Sequence, residues 1–378
     1  MVAPRIATGL ELTAMPPAAL NRALVYFARF SYLDSIWVLD HFQGLIPRAV
    51  WDRQFSWAAA QNESPHELFE FQALLGYLAA SAGRLRLGVG VTEAIRRHPV
   101  VIAQAMLTLA HLTRRPPILG IGAGERENLE PYGLDFTAPV SRLEEALKIL
   151  HLCFRQQGPL DFQGKFFQLK QAVLDLRPPA GRIPEIWIGS LGPRMLRMTG
   201  QYGDGWYPST ITSPEEYAAK LKIIREAAKE AGRDPEAITP AAFLLIAVAP
   251  TEQEVREMLD TKPARLLALG TAAEQWRKLG ARHPFGEDFR GAVDWIPEHY
   301  DRQMLEEAMA AVPPEVLGTG VLWGTPQQVI SKLQAFGEAG ARYLVLFPAS
   351  ALLSRRAALS GLLTIRKIAH VLRTGRGT

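Results

Sequence analysis

The sequence predicts an α/β protein built as a (β/α)8 barrel of the TIM type, with helical insertions. Three observations predict it. Short apolar runs alternate with longer helix-period segments from one end of the chain to the other, the pattern of parallel strands covered by crossover helices. Eight such runs can be counted. The 378 residues, treated as one unit spanning 1–378, suit a single barrel enlarged by insertions. An open doubly wound sheet fits less well, because no glycine fingerprint follows the first strand.

The strands fall at 5–10 (RIATGL), 35–39 (SIWVL), 85–90 (LRLGVG), 117–121 (PILGI), 185–189 (EIWIG), 205–208 (GWYP), 243–248 (FLLIAV) and 343–347 (YLVLF). Helical periodicity marks 17–30, 65–80, 100–112, 141–154, 214–231 and 326–337, with a further helix beginning near Pro193. Spacers at 42–64, 158–184 and 250–320 exceed what a barrel needs and read as insertions. The longest is largely helical, as in EQEVREML and RQMLEEAMA, and could serve as a small lid.

Composition narrows the function. Forty-two Lys and Arg against 38 Asp and Glu leave +4, with a mean hydropathy of 0.00, which gives little support to nucleic-acid binding. A single cysteine, Cys153, excludes an internal disulfide and leaves too few thiolates for a zinc or iron-sulfur site. The expected compartment is a reducing cytoplasm. The start MVAPRIATGLELTAM lacks the layout of a signal peptide, and no run of about 18 apolar residues offers a membrane span. Beyond Glu338 the chain has no acid, while Arg342, Arg355, Arg356, Arg366, Lys367, Arg373 and Arg376 are basic. That end reads as a solvated helix face, or as a surface drawn to an anionic cofactor tail or to lipid at the membrane periphery.

In a barrel the chemistry sits at the strand C-termini. The second strand ends in Asp40-His41-Phe42, where an imidazole near the mouth suits proton transfer to or from a substrate oxygen. The fourth runs into GIGAGEREN, whose glycines allow close backbone approach to a flat ring or a phosphate and are followed by Glu125 on the rim. No His or Asp is spaced near Glu125, Glu127 and Glu130, so no metal is expected. The fifth ends in Gly189-Ser190-Leu191-Gly192-Pro193-Arg194. Small residues before a helix-opening proline leave backbone N–H groups free at a positive dipole end, with Arg194 as an added donor, which makes a phosphate cradle. Phe42, Trp51 and Trp57 make the loop after the second strand unusually aromatic and suited to contact substrate.

Read together, Asp40-His41, Gly90-Val91, GIGAGEREN and GSLGPRM resemble the bacterial-luciferase-like superfamily, in its branch that uses the deazaflavin coenzyme F420. The stretch RLRLGVGVTEAIRRHPVVIAQAMLTLAHLTRRPPILGIGAGERENLEPYGLDF is similar to mycobacterial phthiodiolone dimycocerosate ketoreductases. The resemblance implies a deazaflavin held at the strand C-termini, and a non-proline cis peptide at Gly90-Val91 backing its ring. It implies that Asp40 and Asn128 contact the ring and ribityl chain, and that Gly189, Ser190, Leu191 and Gly192 hold the phosphate. His41 and Glu125 match the pair flanking the reactive face of the ring. Arg96, Arg97 and Arg194 would suit the anionic tail. The implied reaction is hydride transfer from the reduced deazaflavin to a ketone of a long-chain lipid, with His41 or Glu125 supplying the proton. Relatives of this kind are commonly homodimers. The alternatives within the same fold are an FMN-dependent monooxygenase and an F420-dependent oxidoreductase acting on another small substrate.

Overall fold

The computed structural model describes residues 5–375, except 212 and 354; Arg376 lies outside the described residues. Its strands are β1 (Ala7–Leu12), β2 (Ser35–Val38), β3 (Arg86–Thr92), β4 (Ile118–Ile121), β5 (Leu160–Gln163), β6 (Gln168–Ala172), β7 (Glu185–Ile188), β8 (Gly205–Trp206), β9 (Thr239–Val248), β10 (Val321–Gly324) and β11 (Tyr343–Pro348). Its α-helices are α1 (Ala18–Arg29), α2 (Phe71–Ala82), α3 (Pro99–Leu112), α4 (Pro139–Arg155), α5 (Pro193–Tyr202), α6 (Pro214–Glu230), α7 (Glu252–Leu259), α8 (Lys262–Leu269), α9 (Ala273–Lys278), α10 (Arg302–Ala310), α11 (Pro326–Glu338) and α12 (Arg355–Thr374).

Eight parallel strands close a ring in the order β1-β2-β3-β4-β7-β8-β9-β11, with β11 pairing back onto β1. This is the expected (β/α)8 barrel. Two elements escaped the sequence. The four-residue β10 adds a ninth parallel strand on the outer half of β9, with Val321 opposite Leu245 and Gly324 opposite Val248. It fits there because β9 is ten residues long and spends only Thr239 and Pro240 on β8. The second is the antiparallel hairpin β5-β6 inside the 158–184 spacer. Its tip is pinned to α4 by the Glu145 carboxylate, which accepts the N–H groups of Lys165, Phe166 and Phe167.

The barrel interior is plugged by aromatic rings. Trp37 stacks on Tyr207 with centroids 4.7 Å apart, and Trp187 meets Tyr343 edge-on at 5.0 Å. Gly88 makes room for this layer, since a Cβ there would lie 2.8 Å from the Trp37 ring. The apolar residues that alternate with these inward positions, such as Leu87, Val89 and Leu119, pack under the helices in the main core. A second core joins two of the spacers: Val50 and Phe55 pack with Trp276, Phe289, Trp295 and Leu305. Trp295 Nε1 donates to the Leu45 carbonyl at 2.8 Å, and Arg302 pairs with Asp52 at 2.9 Å. The 250–320 segment, which carries α7 to α10, is thereby fixed over the loop that follows β2.

Candidate active site

The loop after β2 and the turn after β4 bring three titratable side chains together at the barrel mouth. His41 Nδ1 lies 3.1 Å from Glu127 Oε1, and its Nε2 lies 3.6 Å from Glu125 Oε2. The reason is local: Glu125 is extended, and a short 3-10 turn over Arg126–Asn128 then reverses the chain, so that Glu125 and Glu127 face the same imidazole. Glu127 is fully buried, and burial pushes its carboxyl up to about 7. The Glu125 carboxyl is pushed up to about 8, by burial first and then by the negative charge of Glu127. Water reaching its 34% exposed side chain works against that shift and also leaves it open to the mouth.

Sequence reading paired His41 with Glu125, through the family resemblance, but left Glu127 out. It also supplied the reason for expecting no metal, and folding removes that reason. One ligand atom from each of His41, Glu125 and Glu127 lies within 4.8 Å of the others. Two carboxyls pushed towards neutrality suit the set to holding protons.

Around this trio the polar groups are tightly committed. Asn128 accepts the Phe42 N–H at 2.8 Å and donates to Glu127 Oε1 at 2.9 Å, linking the two loops. Asp40 is buried, and one oxygen, Oδ2, accepts from Thr92 at 2.7 Å, Arg96 at 2.9 Å and Arg97 at 2.8 Å. Arg96 is held from its other side by Glu93, and Arg97 by Glu70. Asp40, Arg96 and Arg97 therefore form a buried lattice tying β2 to the end of β3.

Below the mouth, the Gly90-Val91 peptide is cis, and the β3-β4 register shifts between Val89 and Thr92. Gly90 must be glycine, because a Cβ would sit 2.6 Å from the Tyr207 hydroxyl oxygen and 3.0 Å from Glu11 Oε2. Tyr207 donates to that Glu11 oxygen at 3.0 Å, and burial pushes the Glu11 carboxyl up to about 8. Sequence reading missed Glu11 by ending the first strand at Leu10; the strand runs on to Leu12. Gly120, Gly122 and Gly189 surround Val91. A Cβ on Gly122 would lie 3.2 Å from a Val91 methyl, and one on Gly189 3.4 Å from the other. The result is a side-chain-poor floor on which a flat ring fits.

The turn after β7, at 189–192, is held from within the protein. Ser190 Oγ bonds Thr199 Oγ1 at 2.8 Å, and its carbonyl accepts from Trp206 Nε1 at 2.9 Å, which fixes the turn from beneath. Gly192 is the N-cap of α5 with no side chain capping it, Pro193 occupies the first turn, and Lys220 reaches the Leu191 carbonyl at 2.9 Å. Arg194 instead points along α4, 57% exposed, pairing with Glu144 at 3.0 Å and Ser141 at 3.1 Å. Among the aromatic residues, Phe42 is at the rim, 47% exposed, between Tyr132 at 4.6 Å and Arg96 at 4.8 Å. Trp51 packs against the second core and donates to the Asn62 carbonyl, and Trp57 donates to the Ala351 carbonyl at 2.8 Å. Both are engaged in packing that the aromatic density of the loop did not reveal.

A parallel barrel with a titratable trio above a glycine floor and an open helix N-terminus defines a class: a cofactor-using enzyme with its chemistry at the strand C-termini. The profile of the luciferase-like monooxygenase family matches residues 33–343, and the chain belongs to that family. It is 41% identical over 339 residues to the phthiodiolone/phenolphthiodiolone dimycocerosates ketoreductase of Mycobacterium tuberculosis, covering 89% of each chain. It is 39% identical over 374 residues to the protein of the same name from a Mycobacterium species, covering 98% of each. Among solved structures, an F420-dependent secondary alcohol dehydrogenase in complex with an F420-acetone adduct superposes with a TM-score of 0.75, covering 98% of this chain and 99% of that one. At 20% identity, this likeness supports the fold.

Proposed function

We propose that the protein is an F420-dependent ketoreductase that reduces a keto group of a long-chain lipid, of the phthiodiolone dimycocerosate class, to the alcohol. The observation that carries this reading is the His41–Glu125–Glu127 cluster beside the glycine floor, in a chain 41% identical to named ketoreductases. The residues fit a deazaflavin: Gly120, Gly122 and Gly189 leave a flat surface around Val91, and the uncapped N-terminus of α5 with Ser190 and Gly192 suits its phosphate. When bound in its reduced form, the deazaflavin supplies the hydride to the carbonyl carbon.

The chain's own part is the proton. Glu125, holding its proton at neutral pH and open to the mouth, donates it to the developing alkoxide oxygen and is left as a carboxylate. His41, lying between the two carboxyls, stabilises that carboxylate, Glu127 behind it orients the imidazole through Nδ1, and solvent returns the proton through the exposed edge. Phe42 forms part of an apolar lip for the lipid chain. Asp40 and Asn128 act on the site by holding its loops, as their bonds within the protein indicate.

Two copies associate through α2 and α3 in this reading, whose outer faces expose Tyr77, Val101 and Leu112. A cytoplasmic setting is part of this reading, since the lone, buried Cys153 suits a reducing compartment. The test is oxidation of reduced F420 by the purified enzyme with a long-chain ketone, followed by deazaflavin fluorescence. Ketone-dependent oxidation is the expected outcome; none with any aliphatic ketone overturns the ketoreductase reading.

A further inference from the structure

The outer face of α12 is unlike that of an ordinary barrel helix. At 100° per residue, its exposed positions fall in a stripe about 120° wide. Leu359 and Leu363, 62% and 55% exposed, occupy the middle of the stripe. Arg355, Arg366 and Arg373 run along one border, and Arg356 and Lys367 along the other, all exposed. The opposite face, with Ile365, Ile368 and Leu372, packs in the main core, so the orientation of the stripe is fixed. No acid follows Glu338, and α1 carries none either. Among the described residues, Arg356, Arg366 and Lys367 make no ion pair.

We infer that this stripe is a docking surface for an anionic lipid bilayer. Long cationic side chains flanking central leucines match a membrane interface: the arginines and the lysine reach the phosphates while the leucines enter the acyl boundary. A nucleic acid or an acidic protein would use the cations but would leave two leucines against a polar surface, and a merely solvated face would not place them at its centre. No helix among the described residues is long and apolar enough to cross a membrane, so the contact is peripheral.

The helix also begins in a useful place. Trp57 Nε1 and Ser56 Oγ donate to the Ala351 and Leu352 carbonyls just before α12, and Arg355 lies over the Trp57 ring at 5.4 Å. The docking stripe therefore begins against the loop after β2 that also carries His41. If the lipid-substrate reading is right, bound membrane lies beside the mouth.

The experiment is co-sedimentation of the full chain, without cofactor or substrate, with vesicles of phosphatidylcholine alone and of phosphatidylcholine mixed with phosphatidylglycerol. Binding to the mixed vesicles only, weakened by salt, is expected. Each of two double variants, Arg356→Glu with Lys367→Glu and Leu359→Ser with Leu363→Ser, should lower it at least about tenfold. No binding, equal binding to both vesicles, or full binding by the leucine variant overturns the proposal, the last in favour of a general polyanion surface. Because no F420 chemistry enters the assay, its failure leaves the ketoreductase reading intact.

Discussion

Replacing Asp40 by alanine separates a structural anchor from a cofactor contact. The carboxylate is buried, and its Oδ2 accepts three hydrogen bonds, two of them from guanidinium groups. Breaking a buried ion pair by removing one partner costs about 3–5 kcal/mol, because the other charge is left uncompensated. Here Arg96 keeps Glu93 and the Asp40 carbonyl, and Arg97 keeps Glu70, so the loss should fall near the lower end, about 3 kcal/mol. Urea unfolding followed by tryptophan fluorescence reads that loss as a lower midpoint with the same slope. Asp40→Asn keeps the shape but not the charge and should fall between wild type and alanine. A loss below about 1 kcal/mol for Asp40→Ala, with cofactor binding abolished, would refute the reasoning and return Asp40 to the ring contact that the family resemblance implies.

Glu125→Gln should lower the rate of ketone reduction about 10²–10⁴-fold with cofactor still bound, and should lack the fall in rate expected of wild type above about pH 8, where Glu125 loses its proton. Steady-state pH profiles check both. Glu11→Gln tests burial beneath Gly90. Its folded-state pKa is raised from 4.5 to about 8, so between those values the unfolded chain releases a proton that the folded one keeps. Wild-type stability should therefore fall by about 1.4 kcal/mol per pH unit as pH rises through that window, and this part of the slope should vanish in Glu11→Gln. Urea midpoints near both ends of the window measure it; equal slopes in the two proteins would exclude a neutral buried Glu11.

How much of this was legible in the sequence depends on the distance over which each feature is encoded. The eight ring strands are local apolar runs, and each was found. VLWG at 321–324 was not, because a four-residue strand has meaning only against the exposed edge of a ten-residue β9. At the site, His41 and Glu125 were visible from strand-end position and from family resemblance. Glu127 looked like one more charge in an acidic run, until the 3-10 turn at 126–128 put it against His41 Nδ1. Arg96, Arg97 and Arg194 read as free cations for an anionic tail. Their partners Asp40, Glu70 and Glu144 lie 27 to 57 residues away in the chain, and no local pattern announces them.

The central claim is cofactor identity, and it is tested most directly by titrating the purified protein with F420 and with FMN and following fluorescence. The account predicts saturable binding of F420 at concentrations where FMN does not bind. Preferential binding of FMN would contradict it, keeping the barrel and the family but moving the chemistry from hydride transfer to oxygen activation.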